Sequence, residues 1–294
     1  MDTCNLAGYV TKVRKKAPLI HNITNYVTVN DCANVLLACG AAPVMSDDAE
    51  DAPQITAISG GLNLNIGTLS DRTIPAMLAS GSVALQSGIP CLLDPVGAGA
   101  TRKRTDTALR LMREVHPQVV RGNMSEIRTL AAEWQDEETS AGMTRGVDAA
   151  AADRVTEENL DEAVRFAKGF AVASGCTVAI TGAIDVVADA EKAFCIRNGH
   201  AMMSRITGSG CQLSAMTCAY LAASHEGDLA GEAELGTFTE AAAAAVCAMG
   251  VAGEAAAKRM GPLDGNASFR TYLIDAVCTM TEEQFQEAAN YDVR

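Results

Sequence analysis

Residues 62–95, LNLNIGTLSDRTIPAMLASGSVALQSGIPCLLDP, decide the fold. Residues 62–66 end at Gly67-Thr68, which reads as a strand and its turn. Residues 71–87 carry Ile74, Leu78, Val83 and Leu85 on or near one face, and Gly88 stops them, which reads as a helix. Residues 89–93 are a short apolar run ending in Asp94-Pro95, a buried strand. Strand, helix and strand at this spacing imply neighbouring parallel strands.

The same rhythm continues on both sides. A helix is predicted over 25–39, a strand over 42–45, a helix over 49–59 and a helix over 106–115, with a strand beginning at 118–120. Further on come a helix at 160–174, a strand at 177–181 and a hairpin-like pair at 185–188 and 193–197. Helices follow at 211–223, 238–257 and 268–288, the last closing the chain. Residues 133–154 are polar, contain Gly142 and Gly146, and read as a surface excursion. The pattern implies an α/β fold with a mostly parallel sheet and helices on both faces. No linker, repeat or composition break divides it, so residues 1–294 read as a single domain.

Composition narrows the function. The net charge of -13 argues against nucleic-acid and anionic-membrane binding, both of which need a basic surface. No charged-then-apolar leader and no long uncharged apolar run suggest export or a membrane span. Ten scattered cysteines form no C-x-x-C pair, and only four histidines are present, which disfavours zinc and fits free thiols in a reducing cytoplasm.

In parallel sheets functional groups gather at the carboxyl ends of strands. Thr207-Gly208-Ser209-Gly210-Cys211 opens an apolar helix with two glycines. Its free amides, on Gly208, Ser209, Gly210 and Cys211, can hold a phosphate or an anionic transition state. Asn123-Met124-Ser125-Glu126 has N-x-x-E spacing, with Glu126 able to hold Mg²⁺ through water and Arg121 able to clamp phosphate oxygens. Asp94 ends a buried strand where a carboxylate can face a metal or a phosphate. Gly97 and Gly99 follow it, yet neither a dinucleotide-binding nor a Walker A pattern occurs. Thr181-Gly182 ends another strand, and Met45 at the end of 42–45 can line an apolar pocket. Residues 18–27 crowd His21, Asn22, Thr24 and Asn25 before a helix, where His21 serves either as a structural hydrogen-bonding group or in catalysis. Taken singly, each segment is more simply a turn, a cap or core. Their order is what carries the chemistry.

That order, N-x-x-E, then a strand ending Thr-Gly, then T-G-x-G and a helix, resembles the ribokinase-like kinases. PLIHNITNYV (18–27), AAPVMS (41–46), LNLNIGTL (62–69), DPVGAGATRKR (94–104), RGNMSEI (121–127), VAITG (178–182) and TGSGCQLSA (207–215) resemble the hydroxyethylthiazole kinase family more closely. The resemblance implies a ribokinase-like three-layer sandwich and transfer of phosphate from ATP, with Mg²⁺, to the primary hydroxyl of 4-methyl-5-(2-hydroxyethyl)thiazole in thiamine salvage. It implies a homotrimer with active sites at subunit interfaces. It assigns Arg121 and Thr181 to ATP, Met45 and Gly208 to the thiazole, and Asp94 and Glu126 to the metal, with Asn25 and Gly67 near the substrate. Cys211 stands where wider relatives carry a general-base aspartate, so it is a weak base or an orienting group. The alternatives are a kinase of a pyrimidine or pyridoxal-type alcohol and a non-catalytic ligand-binding protein.

Overall fold

In the computed structural model residues 5–138, 154–225 and 237–294 are described. The elements run α1 (Gly8–Lys16), β1 (Leu19–Ile23), α2 (Val29–Cys39), β2 (Ala42–Met45), α3 (Ala52–Ala57), β3 (Gly61–Asn65), α4 (Thr73–Ser87), β4 (Cys91–Asp94), α5 (Arg102–Val115), β5 (Val119–Asn123) and α6 (Met124–Glu138). They continue with α7 (Leu160–Ser174), β6 (Thr177–Thr181), β7 (Asp185–Ala188), β8 (Ala193–Ile196), a 3-10 turn (Ala201–Arg205), α8 (Ser209–Ser224), α9 (Phe238–Arg259), α10 (Asn266–Thr279), α11 (Glu282–Ala288) and β9 (Tyr291–Val293).

One nine-stranded sheet has the order β2-β1-β3-β4-β5-β6-β7-β8-β9. Strands β2 through β6 in that order are parallel, and β6 to β9 are antiparallel. Side chains alternate across it. Leu62, Leu64, Leu93, Val120 and Ile180 pack on one face with residues of α4 to α7. Ile20, Leu92, Val119 and Ala179 pack on the other with α1, α2, α8, α9 and α10. This is the expected three-layer arrangement. Helix α9 is long and apolar enough to cross a membrane, but 78% of that stretch is buried in the fold. Helices α8 and α9 are apolar nearly all round because each is covered by sheet on one side and helix on the other.

The structure corrects the sequence reading in several places. The polar run before the first predicted helix contains β1, which lies between β2 and β3 and is buried from Ile20 to Ile23. Its helix begins at Val29, not at residue 25. Helix α5 starts at Arg102 because the Thr101 side chain accepts from the Arg104 amide. The closing helix is broken: Thr281 forms a capping box with Gln284 and starts α11 afresh. The chain then ends as β9, paired with β8. Helix α1 had not been foreseen. Of the polar excursion, Glu133 and Trp134 lie in α6, and 139–153 fall outside the described residues. The nine described cysteines are free, and all but Cys211 and Cys278 are buried.

Candidate active site

The parallel strand ends form a row. Across the sheet stand Met45 on β2, the loop after β1 with Asn25, Asn65 and then Gly67 after β3, Asp94 on β4, Arg121 on β5 and Thr181 on β6. The ladder pairs Asn22 with Met45, Asn65 with Asp94, and Asn123 with Thr181, so these ends are level. Helix α8 packs on β1, β3 and β4 and brings its N-terminus to the row.

Asn65 joins the parts. Its Oδ1 accepts from the Gly67 amide at 2.9 Å and from Asn25 Nδ2 at 3.1 Å. Because the Gly67 amide can only donate, the Asn65 side-chain amide is oriented, and its Nδ2 faces Asp94 Oδ2 at 2.8 Å and Cys211 Sγ at 3.3 Å. Asn25 is fixed the same way: Oδ1 accepts from the Thr28 amide and hydroxyl, and Nδ2 reaches Cys211 Sγ at 3.1 Å. Two N–H groups therefore point at the sulfur.

Asp94 is 1% exposed. Oδ2 accepts from Asn65, from Ser214 Oγ at 2.8 Å and from Arg121 Nη1 at 3.4 Å. Burial pushes the carboxyl up to about 6, opposed chiefly by Arg121 and raised further by Glu126. Its Oδ1 is buried without a hydrogen-bond partner. A buried carboxylate oxygen of that kind suits a cation. Glu126 is already engaged: Oε1 accepts from the Gly97 amide at 2.7 Å and Oε2 from the Asn123 amide at 2.8 Å, while Asn123 Oδ1 accepts from the Glu126 amide at 2.9 Å. The N-x-x-E segment is thus a helix cap. Each carboxylate oxygen still has capacity for a further contact, including a metal-bound water. Among the described residues no group of three or more His, Cys, Asp or Glu forms a metal cage. The donor set fits a Mg²⁺ that keeps most of its waters.

Gly208 is the N-cap of α8, with φ 79° and no side-chain cap. The first helical bond runs from the Gln212 amide to the Gly208 carbonyl at 2.8 Å. The amides of Ser209, Gly210 and Cys211 precede it and have no acceptor within the helix. A Cβ on Gly210 would lie 2.8 Å from Arg121 Nη1. The absence of that carbon lets the guanidinium lie against the helix start, while Nη2 donates to Thr181 Oγ1 at 2.7 Å. Amides, helix dipole and guanidinium converge on one place, which is what an anionic phosphate needs.

From there a cleft of about 820 Å³ opens between the β6–β7 turn, the segment after β8 and α9. Arg121, Thr181, Ser209 and Gly210 stand at one end, and Met203, Val246 and Met249 add apolar wall. Asp185 also lines it and accepts from the Gly182 amide at 2.8 Å. Burial pushes its carboxyl up to about 7, against the pull of that amide and of Arg121. Its contribution to stability is therefore fully present below about pH 4 and is lost as pH rises towards about 7. Asp185→Asn keeps an acceptor for Gly182 and removes the titration. The Tm advantage of the variant over the parent should widen between pH 5 and pH 8. A gap constant with pH would contradict this.

Of the residues singled out from sequence, Asn25, Gly67, Asp94, Arg121, Thr181 and Gly208 to Cys211 are joined by direct contacts or hydrogen bonds. Arg104 fixes the Gly67 turn through the Ile66, Gly67 and Val96 carbonyls. Met45 stands at the β2 end of the row, and Glu126 acts on Asp94 through its charge. Sequence reasoning missed Asn65, Ser214 and Asp185. The signal for Asn65 was the alternation in LNLN, which puts both asparagines on the face opposite the leucines.

Known proteins similar to this chain share its fold and family. Residues 10–283 match the model of the hydroxyethylthiazole kinase family. A hydroxyethylthiazole kinase of Clostridium acetobutylicum is 50% identical over 280 residues, covering 95% of this chain and 96% of the relative. The solved structure of a hydroxyethylthiazole kinase protein from Pyrococcus horikoshii OT3 superposes with TM-score 0.81 at 31% identity, covering 98% of each chain. A ribokinase-like superfamily protein from Enterococcus faecalis has TM-score 0.56 at 11% identity, over 93% of this chain and 90% of its own, and shares the fold.

Proposed function

The chain belongs to the hydroxyethylthiazole kinase family, and from that premise we propose that it transfers the γ-phosphate of ATP to the primary hydroxyl of 4-methyl-5-(2-hydroxyethyl)thiazole, a step of thiamine synthesis. The observation that carries this reading is the meeting of Arg121, Thr181 and the α8 amides at one end of the cleft, beside Cys211 and its two asparagines. The triphosphate lies in the cleft with its γ-phosphate at the Gly208–Cys211 turn. The thiazole lies on the other side of Cys211, towards Asn25, Gly67 and Met45. The chain works as one domain. Homotrimeric assembly with sites at subunit interfaces, and a cytoplasmic location, complete the proposal.

Phosphoryl transfer is mainly positioning and charge stabilisation. The substrate oxygen attacks the γ-phosphorus in line, the bond to the β-phosphate oxygen breaks, and ADP leaves. Ser209, Gly210 and Cys211 amides and Arg121 take up the charge on the transferring oxygens. Asp94 and Glu126 would hold Mg²⁺, which when bound neutralises phosphate charge. Asp94 also anchors Arg121 and Ser214 in place. Cys211 Sγ, whose position Asn25 and Asn65 fix, takes the hydroxyl proton as a thiolate and becomes the thiol.

Two measurements test this. ADP release should require the thiazole alcohol and match the phosphorylated thiazole formed, mole for mole. At Cys211, replacement by Asp should retain or raise kcat, since a carboxylate is ionised at neutral pH and ready to accept a proton, and the two amides supply donors to it. Cys211→Ala should lower kcat. A folded Asp variant that binds ATP but does not turn over would remove Cys211 from the proton's path.

A further inference from the structure

His21 belongs to neither the phosphate cradle nor the cleft, yet it is 0% exposed and tied at both ring nitrogens. Nε2 lies 2.9 Å from the Ser46 carbonyl, and Nδ1 lies 2.8 Å from Thr56 Oγ1. A carbonyl only accepts, so Nε2 carries the hydrogen. Burial holds the ring below its usual pKa, so it is neutral, and bare Nδ1 accepts the Thr56 hydroxyl hydrogen. That hydroxyl is also 3.1 Å from the Ala52 carbonyl but has one hydrogen to give.

The placement matters because β2 is the edge strand, paired only with β1. Its ladder ends where Met45 faces Asn22. One residue on, at Ser46, no backbone pairing holds the chain to β1. The His21 side chain, reaching from β1, supplies that hold, and Thr56 on α3 fixes the ring that makes it. We infer that His21 is a positioning residue for the thiazole alcohol, setting where Met45 stands by anchoring the Ser46 carbonyl beyond the end of the β1–β2 ladder. This rests on the proposed placement of the thiazole against Met45.

The test separates the two alcohol- and nucleotide-binding sides. His21→Leu should raise the KM for the thiazole alcohol about tenfold, given how steeply rate and binding depend on sub-ångström placement, while KM for ATP stays within about twofold. His21→Gln should restore most of the loss, because its side-chain amide can donate to the same carbonyl. Thr56→Val leaves the His21–Ser46 bond but unpins the ring, and should show the same split more weakly. It decides the matter if His21→Leu does not fold. Met45→Ala is the control on the premise. Normal thiazole KM in folded His21→Leu, or in Thr56→Val should the former not fold, beside a raised KM in Met45→Ala, overturns the role of His21 alone. Normal KM in Met45→Ala overturns the substrate placement, and the inference with it.

Discussion

Arg121→Ala lowers kcat/KM by about a thousandfold, the low end of what an arginine supplies to a transferring phosphoryl group. The guanidinium does three things at once. It lies against Gly210 at the start of α8, donates to Thr181 at 2.7 Å and faces Asp94 at 3.4 Å. Removing it takes a positive charge from the phosphate end of the cleft. It also leaves Asp94 buried without its neighbouring cation, so the carboxyl, already raised to about 6, rises further and is more often neutral near neutral pH. Both effects point the same way for a site that needs Asp94 ionised. Arg121→Lys should recover little, because an ammonium cannot reach Thr181 and Asp94 with separate planar N–H groups. Steady-state kinetics with a thermal melt checks this. A folded alanine variant within tenfold of the parent would contradict the role given to Arg121.

Gly208→Ala is the second large effect, with kcat reduced by roughly a hundredfold, the usual consequence of moving a catalytic group by about an ångström. The position has φ 79°, where an L side chain costs about 1–2 kcal/mol. The added carbon would also meet Thr28 Cγ2 at 2.2 Å and Thr28 Cβ at 2.8 Å. Thr28 cannot retreat freely, because its amide and hydroxyl both hold Asn25 Oδ1. The strain therefore passes to the α8 amides on one side and to Asn25 and Cys211 on the other. Thr28→Ser removes the nearer of the two obstructing carbons and keeps the hydroxyl, so it should partly rescue Gly208→Ala. Loss of activity in the single variant without rescue in the double would place the damage in backbone strain alone.

The parallel core was legible because its signals are local. Residues 62–95 contain a whole strand–helix–strand unit with Gly88 at the helix end, and Asp94 and Thr181 follow from where strands stop. β1 was not legible: His21, Asn22 and Asn25 look like a ligand-recognition or capping segment ahead of a helix, whereas in the fold His21 and Asn22 lie on a buried strand and all three meet a side chain or carbonyl far along the chain. Asn65 and Ser214 were missed for the same reason. Asn65 meets Asp94 through the β3–β4 ladder, and the packing of α8 over β3 and β4 brings Cys211 to Asn65 and Ser214 to Asp94. Glu126 shows the opposite limit. Its spacing alone favoured a helix cap over metal chemistry, and the structure shows the cap in full while leaving capacity on each oxygen. Asp185 had no signal at all, since its place in the cleft follows from the turn between β6 and β7.

The central claim is that these residues pass phosphate from ATP to a thiazole alcohol. ADP release, measured side by side for hydroxyethylthiazole, a hydroxymethylpyrimidine and pyridoxal with Mg²⁺ and ATP, tests it most directly. The account predicts kcat/KM for the thiazole alcohol about a hundredfold or more above either competitor, as one shaped pocket can achieve. Faster turnover of the pyrimidine or pyridoxal alcohol, or thiazole binding without any ADP release, would contradict it.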